Sequence, residues 1–159
     1  MIDILRKRRS CRKFTSAPVE PDKIAILKEA ALRSPASRNI NPWHFVFVDD
    51  RALIQKLAAA KEHGSAFLKN VSLAVVVCAD TTASDVWVEN CSIASIILQL
   101  TAQSLNLGSC WIQIRNRFTA DKKTSDHYVK TIINAPENYA VESMIAIGHP
   151  AEYPTPIPA

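Results

Sequence analysis

The segment from about Ser84 to Leu107 constrains the fold more than any other feature of the sequence. Apolar side chains recur along it at helical spacing and form two rows, which a narrow stripe of small polar residues separates. A helix that is apolar over so much of its circumference is buried, and one small domain has little structure with which to cover it, so we expect a subunit interface along this helix. The first row is Cys91, Ala94, Leu98, Ala102 and Leu105, the second is Ile93, Ile96, Ile97 and Leu100, and the stripe is Ser92, Ser95, Gln99, Gln103 and Asn106.

Several helices and few strands surround this central segment. Because the helices follow one another around those strands, we expect an α+β fold in which a mixed sheet carries helices on both faces. The 159 residues fit a single domain, 1–159, and four prolines after residue 149 predict an extended C-terminal arm over 150–159. The patterns predict helices over residues 2–9, 21–33, 50–63 and 120–133, and strands over 43–48, 73–79, 109–114 and 141–148.

Composition excludes several classes of protein. The net charge of +4 and the pI of about 9.0 favour anionic partners without specifying nucleic acid. The chain has no apolar run of membrane-spanning length, and its N-terminus is too short and too quickly charged for a secretory signal, so we expect no membrane partner and a cytoplasmic protein. The cysteines lack Cys-x-x-Cys spacing and the four histidines are scattered, so no metal site is expected.

A dense basic cluster, Arg8-Arg9-Ser10-Cys11-Arg12, lies near the N-terminus. Guanidinium groups hold phosphate and other anionic oxygens with paired hydrogen bonds, although a charge run taken alone is more often a solvated surface patch. The chain has only three glycines, which excludes both a dinucleotide-binding fingerprint and a P-loop. Any phosphate must therefore be held by side chains or helix ends.

The sequence offers no clear catalytic side chains. It contains no Gly-x-Ser-x-Gly elbow, no evident pair of carboxylates for acid–base chemistry, and no cysteine with an identifiable histidine partner. A protein that holds phosphate without such groups is understandable if a cofactor supplies the reactive atoms and the protein supplies binding and orientation.

Four segments, in order along the chain, resemble the motifs of the FMN-dependent nitroreductase family. RRSCRKF at residues 8–14 resembles its opening motif, and SPASRNINPWHF at 34–45 resembles its second, a loop running into an Asn/Gln-Pro-Trp strand. LNLGSCWI at 105–112 is similar to the third motif, and AIGHP at 146–150 to the fourth. Each motif alone is weak, but together they cover nearly the whole chain.

This resemblance implies a nitroreductase-like three-layer sandwich that forms a domain-swapped homodimer, with two FMN sites at the interface and the 84–107 helix at its centre. Arg8 and Ser10 would serve the phosphate or ribityl end of FMN, and Arg12 would lie near the pyrimidine edge of the ring. The other implied flavin contacts are Arg9 and Gly148, the backbone of Ile112, Gln113 and Ile114 near N5 and O4, and Pro35, Ala36, Ser37 and Asn39 of the partner subunit.

The implied function is hydride transfer from NADH or NADPH to flavin N5 and onward to a nitroaromatic, a quinone or a similar electron-poor acceptor, with ping-pong turnover. No catalytic side chain is implied, since the flavin carries the chemistry. Residues 151–159 contain none of the cations that family members often use for the FMN phosphate, which would then rely on Arg8, Arg9 or Arg38. The alternatives are a flavin-binding or storage protein without turnover and a small nucleic-acid-binding module.

Overall fold

A computed structural model describes residues 1–156 and has an α+β architecture. The helices are α1 (Ile2–Lys7), α2 (Pro21–Leu32), α3 (Arg51–Leu57), α4 (Trp87–Ser104) and α5 (Ser125–Ile133), the strands are β1 (Trp43–Val48), β2 (Leu73–Asp80), β3 (Gly108–Gln113) and β4 (Tyr139–Gly148), and two short 3-10 turns cover Ser37–Asn39 and Ala66–Asn70.

The four strands form one sheet in the order β1-β2-β4-β3, and each neighbouring pair is antiparallel. β2 and β4 are central, and β2 is buried on both faces, which explains why residues 73–79 form an unbroken apolar run. A parallel bridge between Ser10 and Ser109 adds the N-terminal segment to the free edge of β3. With that segment included, the sheet has the mixed strand directions that the sequence predicts.

Helices cover both faces of the sheet, so the molecule has three layers. On one face, Leu27 of α2 and Leu98 of α4 belong to the same apolar cluster as Val75 of β2. On the other face, a second cluster joins Ile54 of α3 and Val129 of α5 to the opposite side of β2 and β4.

Helix α4 is the predicted central helix, and its polar stripe packs against the sheet. Ser95 is fully buried and its hydroxyl lies 3.0 Å from the hydroxyl of Ser143 on β4. In the first apolar row, Cys91, Ala94, Leu98 and Ala102 are buried within one chain and Leu105 is half-buried. Ile93 and Ile96 of the second row are 40% and 39% exposed. The predicted subunit interface along this second row stays a prediction.

Two predicted helices are shorter in the structure. Helix α3 ends at Leu57 because the chain turns there, and the Ser65 hydroxyl donates to the Ala58 carbonyl at 2.8 Å. Helix α5 begins at Ser125 because Thr124 caps it, with its hydroxyl accepting from the His127 N–H at 3.4 Å. The segments 58–65 and 115–124 are therefore loops.

The N-terminal segment packs over a pair of glycines on adjacent strands. Gly108 of β3 lies opposite Gly148 of β4, and a Cβ atom on Gly108 would lie 2.9 Å from both Cβ and Sγ of Cys11. A Cβ on Gly148 would lie 3.1 Å from the ring of Phe14. Both glycines are therefore required where residues 10–14 cross the end of the sheet.

The C-terminal segment runs back along this N-terminal segment. The Ala151 N–H donates to the Lys13 carbonyl at 2.9 Å, and the Lys13 ammonium pairs with Glu152 at 2.9 Å. The guanidinium group of Arg9 donates to the Thr155 carbonyl. Of the predicted arm 150–159, residues 157–159 lie outside the described part of the chain.

Glu142 is an acid buried at an irregularity in the sheet. The pairing of β2 with β4 shifts between Val77 and Cys78, which leaves Glu142 without a partner on β2. Its side chain is 3% exposed, and its Oε2 has no hydrogen-bond partner among the described residues. Burial raises the pKa of Glu142, while hydrogen bonds from Ser143 and Ser92 act in the opposite direction.

Within residues 1–156, no helix is both long enough and apolar enough to cross a membrane.

We predict that Gly108→Ala destabilises the protein through its contact with Cys11. The added methyl group overpacks this position, which typically costs about 1–3 kcal/mol. Cys11→Gly removes the two atoms that the methyl group would approach most closely and leaves only the Phe14 ring at 3.4 Å, so the cost of Gly108→Ala should be smaller in that background. Denaturant unfolding of the four proteins in the cycle measures this coupling, and strictly additive effects would contradict the assigned contact.

We also predict that Glu142→Gln stabilises the protein increasingly as the pH rises. The folded-state pKa of Glu142 is raised, so the unfolded chain ionises first, and wild-type stability falls as the pH rises from about 4.5 through the folded pKa. A gain of about 1 kcal/mol would raise Tm by roughly 2–4 °C at neutral pH for a domain of this size. The exposed Glu137→Gln is the control, and a Glu142→Gln advantage that shrinks with rising pH would refute the interpretation.

Candidate functional site

Positive charges from separate parts of the chain act on the buried thiol of Cys110 on β3. Burial raises the pKa of this thiol, and the positive charges of Arg12, Arg8 and Lys61 act in the opposite direction, as does a hydrogen bond from Ser10. Two of the arginines in the basic sequence motif, together with its serine, therefore converge on the free edge of β3. The sequence analysis identified Arg8, Ser10 and Arg12 but not Lys61.

Lys61, the third of these cations, belongs to a second loop. Burial lowers the pKa of the Lys61 ammonium group, and the nearby charge of Arg117 lowers it further. The loop is held in place because the Lys61 N–H donates to the Ser65 hydroxyl at 3.2 Å. We name Arg8, Arg12, Lys61 and Arg117 the cation cluster.

A contact between two loops brings Lys61 and Arg117 together. The Glu62 N–H donates to the Phe118 carbonyl at 3.0 Å, and the Lys122 ammonium pairs with the Glu62 carboxylate at 2.7 Å. The two loops are more than 50 residues apart in the chain, and neither carries a motif, so sequence reasoning had no signal for this pair of cations.

Hydrogen bonding in β3 distinguishes the three predicted backbone contacts. The Ile114 N–H donates to the Glu142 carbonyl at 3.1 Å, and the backbone groups of an antiparallel strand alternate in direction. Ile112 and Ile114 therefore direct their N–H groups toward β4, whereas Gln113 directs its N–H toward the free edge. At the same edge the Ser109 carbonyl accepts from the Cys11 N–H at 2.8 Å. Among residues 112–114, Gln113 is therefore the one whose backbone N–H points toward a ligand at this edge.

The side chain of Gln113 is fixed on both sides. Its Oε1 accepts from the Trp111 indole N–H at 3.0 Å, and its Nε2 donates to the Arg115 carbonyl at 3.1 Å. The Arg115 guanidinium group lies 6.0 Å from the centre of the Trp87 ring. These contacts hold the end of β3 in one conformation.

Arg9 and Gly148 do not join the cation cluster. Arg9 donates to the Thr155 carbonyl and, with Lys7 and Tyr153, lines a cavity of about 450 Å³ that Cys11 and Gly108 also line. A Cβ atom on Gly148 would lie 3.1 Å from the Phe14 ring and 3.3 Å from the Ser72 hydroxyl, so the glycine allows Phe14 to approach. Flavin contacts for these two residues stay predictions.

The predicted loop residues Pro35, Ala36, Ser37 and Asn39 lie far from the N-terminal cations. The 34–42 loop precedes β1, which is the opposite edge of the sheet from β3, and three strand spacings amount to about 14 Å. The Ser37 N–H donates to Asn90 in the first turn of α4, whereas Gly108 follows the last turn. From Asn90 to Ser104 the helix rises about 21 Å. One chain therefore does not bring the two predicted halves of the site together.

Comparison with known proteins gives a consistent result. The model of the nitroreductase family matches residues 5–89 and 61–149. A relative from Archaeoglobus fulgidus, named as an NADH dehydrogenase/NAD(P)H nitroreductase, is 32% identical over 155 residues, which are 95% of this chain and 86% of the relative.

Solved structures are similar over nearly the full length. An FMN-dependent nitroreductase from Clostridium difficile R20291 matches with a TM-score of 0.97 and 41% identity, covering 99% of this chain and 92% of that one. A second structure, named as an NADH dehydrogenase/NAD(P)H nitroreductase from Parabacteroides distasonis, matches with a TM-score of 0.90 and 31% identity, covering 99% of this chain and 90% of that one.

Proposed function

The chain belongs to the nitroreductase family, and from this premise we propose that it is an FMN-dependent NAD(P)H oxidoreductase. The observation that carries the proposal is the bridge between Ser10 and Ser109, which places the segment with Arg8 and Arg12 along the free edge of β3, the edge toward which the Gln113 N–H also points. The flavin and nicotinamide nucleotides in the names of its relatives support the same assignment.

The residues at this edge fit the chemistry of FMN. Arg8 supplies a charged fork of donors that suits a phosphate group, and the Ser10 hydroxyl is beside it in the chain. Arg12 and Lys61 supply positive charge for the electron-rich edge of the ring, and Gln113 supplies a backbone donor. We propose that Arg8 and Ser10 hold the phosphate or ribityl end and that Arg12 and Lys61 face the pyrimidine edge.

Lys61 and Arg117, in the 61–65 and 115–118 loops, could compensate for the lack of a cation in residues 151–156. Residues 151–156 carry one charged side chain, Glu152, which pairs with Lys13. Lys61 adds a positive charge that acts on Cys110 of β3, and Arg117 lies near Lys61. We propose that these charges at the ring end of the site strengthen the binding of the anionic cofactor in place of a C-terminal cation, which argues against a storage protein in which FMN is held too weakly for turnover.

We propose a homodimer in which each FMN lies between the β3 edge of one subunit and the 34–42 loop of the other. Residues 8–12 of the β3 edge and this loop are at opposite edges of the sheet and opposite ends of α4, so a flavin that touches both requires two copies. The exposed second row of α4, with Ile93 and Ile96, provides an apolar surface for the contact between copies.

When bound, FMN would supply a two-electron carrier that takes a hydride from NADH or NADPH and gives it to a nitroaromatic, a quinone or another electron-poor acceptor. The chain's own contribution is binding and orientation. The Gln113 N–H is aimed outward from a strand that is fixed by its side-chain contacts, and the cation cluster favours negative charge on a bound ring. We assign no catalytic side chain, and we propose that both substrates use the same pocket in turn, which gives ping-pong kinetics.

We predict that the protein purified with excess FMN is yellow and that NADH or NADPH bleaches its visible absorbance under anaerobic conditions. Re-oxidation by a nitroaromatic or a quinone should restore the colour. Absorption spectra recorded before and after each addition measure both steps. Retained FMN that no nicotinamide bleaches would instead support the storage alternative, and a protein that takes up no FMN would refute both.

We predict that Arg8→Ala and Arg9→Ala differ in their effect on FMN affinity. A lost hydrogen bond to a charged group costs about 1.5–3 kcal/mol, so Arg8→Ala should weaken binding roughly 10- to 150-fold. Arg9→Ala is a matched control of equal charge, and it should change the affinity less than about threefold because Arg9 bonds to the C-terminal segment. Fluorescence titration of FMN measures both, and equal effects would place the phosphate elsewhere.

A further inference from the structure

Three residues of the 34–42 loop lie in the left-handed backbone region, which asparagine tolerates but arginine rarely adopts. Arg38 and Asn39 have φ values of 54°, and Asn41 has a φ of 52°, all in the left-handed region. The loop contains no glycine to relieve the steric cost of that region, and for arginine the cost is highest among the three. Such a conformation persists when surrounding contacts determine it.

Asn90 of α4 provides a buried contact of that kind. Its side chain is 2% exposed, and its Oδ1 accepts from the Ser37 N–H at 3.0 Å across 53 residues of sequence. Its Nδ2 lies 3.4 Å from the Ser84 hydroxyl, in the turn before the helix. One amide therefore joins the loop to both the helix and the segment that enters it.

The second contact of the loop is exposed. Arg38 pairs with Asp85, and the two side chains are 63% and 76% exposed. Solvent screens ion pairs of this kind, and they add little to stability. A buried acceptor facing a backbone N–H contributes more, since its loss leaves the donor without a partner. Asn90 is therefore the stronger of these two side-chain anchors, and the Pro42 carbonyl, which accepts from the Asp80 N–H at 3.0 Å, fixes the end of the loop to β2.

We propose that Asn90 is a positioning residue that fixes the 34–42 loop for the FMN site of the second copy of this chain. This inference rests on the proposed function. Asn90 touches neither substrate nor cofactor, and it acts through Ser37. Because Asn90 is on α4, whose exposed row faces the proposed dimer contact, the same helix sets both the loop conformation and the contact between subunits.

Three variants test this role through FMN affinity, measured by fluorescence titration. Asn90→Leu removes both hydrogen bonds at similar side-chain size and should weaken FMN binding at least about tenfold. Asn90→Asp keeps an acceptor for the Ser37 N–H, and Ser84 can donate to it, so its affinity should stay within about threefold of wild type. Ser95→Ala removes another buried polar contact of α4 without touching the loop and should leave FMN affinity unchanged.

Tryptic cleavage after Arg38 in the flavin-free protein provides a second readout. Loss of the anchor should speed this cleavage at least about fivefold in Asn90→Leu but not in Asn90→Asp or Ser95→Ala. Thermal unfolding identifies any variant that does not fold, and Asn90→Asp then remains the comparison with wild type. If Asn90→Leu folds and neither its cleavage rate nor its FMN affinity changes, the proposal is overturned. If the wild-type protein binds no FMN, the proposed function is refuted. In that case the tryptic cleavage rate still tests the anchor, and an unchanged rate in Asn90→Leu would refute it as well.

Mixed dimers test whether the loop acts on the other subunit. Consider a dimer of one Arg8→Ala chain and one Asn90→Leu chain. If the loop acts across the interface, one site combines the altered β3 edge with the altered loop, and the other site combines the two unaltered parts. Such dimers should bind one FMN with wild-type affinity, although each parent homodimer binds weakly. Mixed dimers with no tight site would show that the loop acts within its own chain and would overturn the assignment.

Discussion

The pairing of the N-terminal segment with β3 is the interaction on which the rest of the site depends. The bridge between Ser10 and Ser109 places the backbone of residues 8–12 along the free edge of the sheet. This approach is possible because Gly108 and Gly148 leave room for Cys11 and Phe14. A side chain at Gly108 would displace the segment that carries Arg8 and Arg12. The two glycines thus allow the segment that carries the cations to pack against the sheet. In the proposed site, side chains and not glycine backbone groups bind the FMN phosphate.

The fold then separates the two parts of the site. The cation cluster is at the β3 edge and the 34–42 loop is at the β1 edge, with α4 running between them on one face of the sheet. A three-layer sandwich of this size cannot join its two sheet edges around one ligand. A second copy can bring its 34–42 loop to the cations of the first copy. Helix α4 takes part in the core through its buried row, in the proposed subunit contact through its exposed row, and in the loop anchor through Asn90.

Sequence periodicity predicted the parts of the fold in which burial is uniform. The apolar run of β2 and the first apolar row of α4 each correspond to residues packed in the core, and the order of four motifs predicted the family. Sequence could not predict Lys61 in the cluster, because its loop meets the Arg117 loop through backbone contacts that no side-chain pattern records. The unpaired position of Glu142 depends on a register shift between strands, which local sequence does not specify.

A comparison of FMN with riboflavin tests the central claim most directly, because the two ligands differ only in the phosphate group. If side-chain cations at the β3 edge hold that phosphate, FMN should bind at least about tenfold more tightly than riboflavin at low salt, and the difference should shrink as the salt concentration rises. Fluorescence titrations of the wild-type protein at two ionic strengths measure both quantities. Equal affinities at low salt would contradict the account.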